Sequence, residues 1–205
     1  MGGLTALRKI QIGKETTKGT SVAATAALLG LLTMREAPTL YRPKDERATL
    51  AEFSRSLKVA NMADLTLQGD ATFQQILYAL HMGVLGTVTP SADGTNGKKW
   101  TFTPAMAAAG VFDSFTLEFG DNVQAWEAEY CMVRRIEISG VMGEPVKVST
   151  DIFGRKMKAE AFTAALTPPV VEAVISQKAK FYIDAETGTI GTTEKAATLI
   201  AWRYT

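Results

Sequence analysis

Val146-Lys147-Val148-Ser149-Thr150-Asp151-Ile152-Phe153 is the stretch whose reading decides the fold class. Val146, Val148, Thr150 and Ile152 alternate with Lys147, Ser149 and Asp151, and a period of two sends alternate side chains to opposite faces of a strand. A strand that is apolar on one face and polar on the other is half buried, as in antiparallel sheets with one wet side. Gly154 ends the run and Lys156 to Phe162 follows as another strand. Upstream, Ser114 to Phe119, Val123 to Cys131 and Met132 to Ser139 carry strand signals, with Gly120-Asp121, Gly140 and Gly143 as punctuation. Short strands and turns at near-regular spacing predict a mainly β chain, a β-sandwich or barrel with one or two short helices.

Farther from this centre the period changes. Thr72 is placed as an N-cap, and Gln75 three residues later completes a capping box. Phe73, Ile76, Leu77 and Leu80 follow at helical spacing, with Gly83 at the C-cap position. Thr167 before Pro168-Pro169 predicts a second short helix, with Val171, Val174 and Ile175 facing the core. Ala63 to Gly69, Trp100 to Thr103, Ala179 to Asp184 and Ala196 to Tyr204 read as further strands. Ala27 to Tyr41 is strand-like but contains Pro38, which suits an edge or a bulge because proline donates nothing to a ladder.

Two segments stand outside this pattern. Residues 1–26 read as an extended, glycine-bearing N-terminal arm with one short strand, Ala6 to Ile12, inside it. Residues 27–205 then form the sandwich domain, carrying a long charged loop at 42–60. That loop holds Arg42, Lys44, Asp45, Glu46, Arg47, Glu52, Arg55 and Lys58, with Leu50, Phe53 and Leu57 as its apolar anchors. Loops beyond about 12–15 residues are usually functional or mobile.

Composition narrows the function classes. The 205 residues suit one domain, and 22 basic against 21 acidic side chains leave a net charge of +1. Gripping nucleic acid through its phosphates needs a basic excess or stripe. Cys131 is the single cysteine, so no intramolecular disulfide forms and a cysteine-based zinc site is not expected. The most apolar stretch, Val22 to Leu32, is shorter than the roughly 20 residues of a membrane helix. Met34-Arg35-Glu36 follows it where a cleavage site would stand. Synthesis in the cytosol with no membrane step is the expectation.

No residue set points to a reaction. His81 is the only histidine, placed near a helix C-terminus where a positive imidazolium is favoured. Asp93 to Lys99 lacks the first glycine and the hydroxyl residue of a phosphate loop and reads as a hairpin turn. Glu186-Thr187-Gly188 has Glu where an acid protease needs Asp. Glu127 and Glu129 share a strand face and would serve as an acid-base pair; pairing with Arg134 and Arg135 on a neighbouring strand is the plainer expectation. Lys98-Lys99, Arg134-Arg135 and Arg155-Lys156-Lys158 are small basic groups lying close to acids. No catalytic, cofactor or metal-binding residue is expected.

As a whole the chain resembles the tail tube, or major tail, proteins of long-tailed phages. The likeness is carried by Gly19-Thr20-Ser21-Val22-Ala23-Ala24-Thr25, Arg42-Pro43-Lys44-Asp45-Glu46, Leu67-Gln68-Gly69-Asp70-Ala71-Thr72-Phe73 and Trp100-Thr101-Phe102-Thr103-Pro104. It continues through Phe115-Thr116-Leu117-Glu118-Phe119-Gly120-Asp121, Glu129-Tyr130-Cys131 with Ile136-Glu137-Ile138-Ser139-Gly140, and Lys178-Ala179-Lys180-Phe181-Tyr182-Ile183-Asp184.

The resemblance implies a sandwich flanked by helix, six copies per ring, and rings stacked into a hollow virion tail through which DNA passes without specific binding. Inner strands would join neighbours into a ring-wide barrel, with Val123 to Ser139 or Val146 to Phe162 lining the lumen. Other tail proteins would meet the tube ends. Ring-to-ring contact is assigned to the arm and to Tyr41, Arg42, Lys44, Asp45, Glu46 and Arg47. The alternatives are the tube of a contractile or secretion system, a small-ligand-binding β-barrel, and an enzyme using Glu127 and Glu129.

Overall fold

The computed structural model describes every residue except 1–3, 47, 49, 51–54, 87, 104–106, 108, 190 and 196–198. Its strands are β1 (Lys9–Lys14), β2 (Ala26–Leu28), β3 (Leu31–Tyr41), β4 (Leu57–Asp70), β5 (Ser91–Asp93) and β6 (Gly97–Lys99). They continue as β7 (Phe115–Gly120), β8 (Ala125–Val141), β9 (Lys147–Gly154), β10 (Lys156–Ala159) and β11 (Ala201–Tyr204), and the α-helix is α1 (Ile76–Gly83). The fold is mainly β and sandwich-like, as the alternation predicts. The main sheet runs β2-β1-β7-β8-β9-β4-β3, and all its pairings are antiparallel.

The two layers share one strand. The first part of β8 pairs with β7 and β10, and the second part with β9 and β11. One half-sheet is therefore β2-β1-β7-β8-β10 and the other is β3-β4-β9-β8-β11. Sequence reading divides β8 into two strands, Val123 to Cys131 and Met132 to Ser139; the structure joins them. Between them the register shifts opposite Phe115 and Leu117, and Tyr130 takes a φ of 56°. Such a bulge adds a residue and bends the strand, which breaks the period-two pattern without ending the element.

Ile10, Ile12, Leu28, Phe115, Leu117 and Phe119 of the first half-sheet meet Leu65 and Ile152 of the second in one core, which Met82 of α1 also enters. Burying side chains of this size contributes about 1.5–3 kcal/mol each. Residues of the predicted arm thus belong to the sandwich: β1 lies between β2 and β7, and Ile12 is fully buried. The period-two pattern of Ile10 and Ile12 is too short, beside so many polar residues, to reveal this.

The helix starts later than the predicted cap: Gln75 stands in the N-cap position with no side-chain cap bond, and Thr72 Oγ1 accepts the Gln75 N–H at 3.2 Å in the turn that leads into the helix. The Gln75 side-chain Nε2 is buried without a partner. Ala79 and Met82 are the buried helix residues, while Phe73 is exposed. The second predicted helix is absent. Residues 167–175 run extended, with bridges from Thr72 to Ala173 and Pro145 to Ile175, and a 3-10 turn follows at Ser176–Lys178. The pairing supplies backbone partners that a two-proline helix start would otherwise need. Trp100 to Thr103 has no strand, and the Ala179 to Asp184 segment keeps only a Tyr182–Glu194 bridge. Asp93 to Gly97 turns the β5–β6 hairpin.

Candidate functional site: a charge-paired sheet face and a projecting ribbon

The outer face of the second half-sheet is polar. Lys147, Ser149 and Asp151 of β9 stand opposite Asp70, Gln68 and Thr66 of β4 on one side. On the other side they meet Ser139, Glu137 and Arg135 of β8. Arg203 of β11 is the partner of Ser139, and Arg35 of β3 is the partner of Asp64. The alternation of Val146 to Phe153 sets this face, because the opposite set, Thr150 and Ile152, is buried.

Four of its five cations lie against carboxylates. Arg134 sits 3.2 Å from Asp64, Arg135 2.8 Å from Glu137, Arg203 3.1 Å from Glu137, and Lys147 2.9 Å from Asp70. The Asp70 carboxylate holds the Lys147 ammonium above the ordinary lysine range. Thr66 Oγ1 donates to Asp151 at 3.1 Å. Arg35 has no ion pair among the described residues. Exposed pairs contribute little to stability, about 0–1 kcal/mol each. Their effect is on the field: the face offers a polyanion few uncompensated positive charges.

The second feature is the end of the β3–β4 hairpin. Here β4 extends past β9, which pairs only from Ala63 onward, so residues 57–62 have β3 alone as a strand partner. Leu40, Tyr41, Leu57, Val59 and Met62 are exposed on this ribbon. Pro38 lies opposite Asn61 in β3, the outermost strand, which is the edge position predicted for it. Lys58 and Asn61 both donate to Glu36, at 2.9 and 2.6 Å, and hold the Glu36 carboxyl below its ordinary range.

The predicted contact residues cluster at the ribbon's end. Tyr41 closes β3, and Arg42, Lys44, Asp45 and Glu46 follow without regular structure and exposed; Arg47 lies outside the described residues. Pro43 among them is buried, and Asp45 lies 3.7 Å from Arg55. The predicted loop 42–60 is shorter at its far end, since β4 begins at Leu57.

The residues weighed for chemistry fall apart. Glu127 pairs with Lys158 at 3.1 Å and Glu129 with Arg155 at 2.9 Å, both partners coming from the β9–β10 side rather than from Arg134 and Arg135. Arg134 and Arg135 follow on the same strand beyond the bulge, where they face β9. His81 Nδ1 lies 3.7 Å from Asp113, which Lys14 also holds at 2.7 Å. Burial pushes the imidazole below its ordinary value against the pull of Asp113, so the helix-end position does not favour its charged form. Cys131 is fully buried, and burial pushes its thiol far up. Among the described residues no three His, Cys, Asp or Glu side chains come together as a metal site.

Two spaces remain. An open groove of about 480 Å³ lies where β2 and β3 diverge, with Ile10, Leu28, Leu32, Phe119 and Trp126 in its lining. Beneath α1 the apolar space lined by Leu67, Tyr78, Met82 and Ile152 amounts to about 30 Å³. No described helix is long and apolar enough to cross a membrane. Sequence reasoning missed the charge-paired face because its members come from five strands far apart in the chain. No family model matches the sequence, and no curated protein is significantly similar to it.

Proposed function

We propose that the chain is a structural subunit of a phage-type tail tube, built of stacked hexameric rings, that acts by assembly and not by catalysis. The observation that carries this reading is the ribbon of residues 37–41 and 57–62, which lies beyond the part of β4 that pairs with β9, with apolar side chains exposed along it. A subunit that meets neighbours on several sides accounts for such a ribbon. The open β3 edge adds to it, since unpaired edges in stable proteins are covered or joined.

The charge-paired face of the second half-sheet is the surface assigned to the lumen. DNA must slide there, and phosphate affinity grows with each cation left free to neutralise a phosphate. Of the two hairpins proposed as lumen lining, this favours the strands around Val146 to Phe153, joined by Arg134 to Ser139. The ribbon end, Tyr41, Arg42, Lys44, Asp45 and Glu46, is assigned to ring-to-ring contact. Other tail proteins meet the tube ends, and the virion tail is the proposed location. The space beneath α1, about 30 Å³, is far below the roughly 300–1,000 Å³ of binding cavities; the groove of about 480 Å³ between β2 and β3 reaches that size but lies open at the surface and not inside a barrel.

Negative-stain electron microscopy of the concentrated chain tests the reading. Hollow tubes or six-fold rings are expected. Compact monomers over a range of salt and protein concentrations overturn it.

A further inference from the structure

The segment between β1 and β2 crosses the first half-sheet on the side away from the core. Beneath it lie Gln11, Thr116 and Glu118, all buried and polar, on the faces of β1 and β7 opposite Ile12, Leu117 and Phe119. The segment has little apolar grip of its own; Ala24 is its buried hydrophobic residue. Hydrogen bonds hold it instead. The Gly19 N–H donates to Glu15 Oε2 at 2.7 Å, the Val22 N–H to Thr116 Oγ1 at 3.1 Å, and the Ala24 N–H to Glu118 Oε1 at 3.2 Å and Thr163 Oγ1 at 3.0 Å. Arg155 donates to the Gly19 carbonyl at 2.6 Å from above.

Glu15 reaches further. Its Oε2 also accepts from Ser114 Oγ at 2.6 Å, and its Oε1 accepts from Thr116 Oγ1 at 3.1 Å and from the Tyr130 N–H at 2.7 Å. Tyr130 is the left-handed residue of the β8 bulge, whose amide has left the ladder. An amide shielded from water in this way needs an acceptor, and Glu15 supplies it. The same carboxylate therefore closes the strap at Gly19 and supports the bend at Tyr130.

We propose that residues 16–25 form a strap that opens as one unit, and that its seating sets the bend of β8 through Glu15. Opening uncovers a polar surface and lets both carboxylates hydrate, so it exposes little apolar area. Segments held this way belong to the low-stability end of a fold. With the strap lifted, Glu15 is free to leave Tyr130, and the angle between the two parts of β8 relaxes. The inference stands on this geometry alone and holds whether or not the chain builds tubes.

Residue-resolved amide hydrogen exchange by NMR tests it. In the unaltered chain, the Gly19, Val22 and Ala24 amides are expected to exchange at least about ten-fold faster than the β1–β7 ladder, with Tyr130 exchanging at their rate. Tyr130 exchanging with the ladder overturns the coupling, and strap amides as slow as the ladder overturn the strap. Gly13→Ala is the variant of choice, because a Cβ at Gly13 would lie 2.5 Å from the Ala23 carbonyl oxygen and must displace the strap without touching Glu15. Faster exchange at Gly19, Ala24 and Tyr130 together supports the proposal, and acceleration of the strap alone refutes it. Should the variant fail to fold or leave exchange unchanged, the unaltered chain's own comparison of Tyr130 with the strap decides.

Discussion

The indole of Trp202 occupies the space that a side chain at position 140 would need: a Cβ on Gly140 would come within 2.5 Å of Trp202 Nε1 and 2.6 Å of Ser176 Oγ. The last strand, β11, is seated on β8 by this absence of a side chain as much as by its ladder. Gly140→Ala is expected to push Trp202 out and destabilise the chain by about 1–3 kcal/mol, as overpacking does. The indole N–H resonance of Trp202 and a urea titration would show it. An unmoved resonance with unchanged stability would refute the contact.

The charge-paired face gives a prediction about DNA. Asp64→Asn with Glu137→Gln removes the partners of Arg134, Arg135 and Arg203. The double variant is expected to bind duplex DNA at low salt, where the unaltered chain does not. Log affinity should fall against log salt with a slope near −0.9 for each cation engaged, about three at most. Fluorescence anisotropy across a salt series reads both. Equal binding by both proteins would leave the pairing without the assigned effect.

His81 makes stability pH-dependent. Burial lowers its pKa, with Asp113 opposing and Lys14 assisting. The folded chain therefore takes up the proton later than the unfolded chain does. Stability is fully present above the unfolded value, about 6.5, falls as the pH drops through it, and levels off below the folded value. His81→Phe should flatten this part of the profile. Urea midpoints on both sides of that pH check it; an unchanged slope in the variant would locate the dependence elsewhere.

The turn leading into α1 gives the simplest energetic test. Thr72→Ala deletes the oxygen that accepts the Gln75 N–H, an expected loss of about 1 kcal/mol. The Thr72–Ala173 bridge is backbone pairing and should survive. A denaturation midpoint identical to that of the unaltered chain would show that this bond is idle.

Local chemistry was legible in the sequence where it decides the structure by itself. The alternation of Val146 to Phe153 became β9, Phe73 to Gly83 contained the helix, and Pro38 marked the edge strand. What remained hidden depends on partners far along the chain. The polar residues Gln11, Glu15 and Glu118 look like surface, yet they are buried because they satisfy one another's neighbourhood across β1, β7 and the strap. Tyr130 conceals the continuity of β8, since a bulge shifts the alternation that would reveal one strand. Pro168-Pro169 reads as a helix start because the competing bridge to Thr72 lies nearly a hundred residues away in sequence. The charge-paired face was invisible for the same reason, as Arg134 and Asp64 meet only through register.

The sharing of β8 between the half-sheets has a mechanical consequence. The first strand reaches it through β7, and the last strand lies directly against it. Tension applied between the two ends of the chain therefore travels along one unbroken backbone segment, from 125 to 141, instead of across a packed interface. Ladder bonds in both layers must shear before the ends part. Force applied to β1 and β11 is thus expected to meet on β8, on either side of Tyr130, with the ladders that flank it carrying the shear.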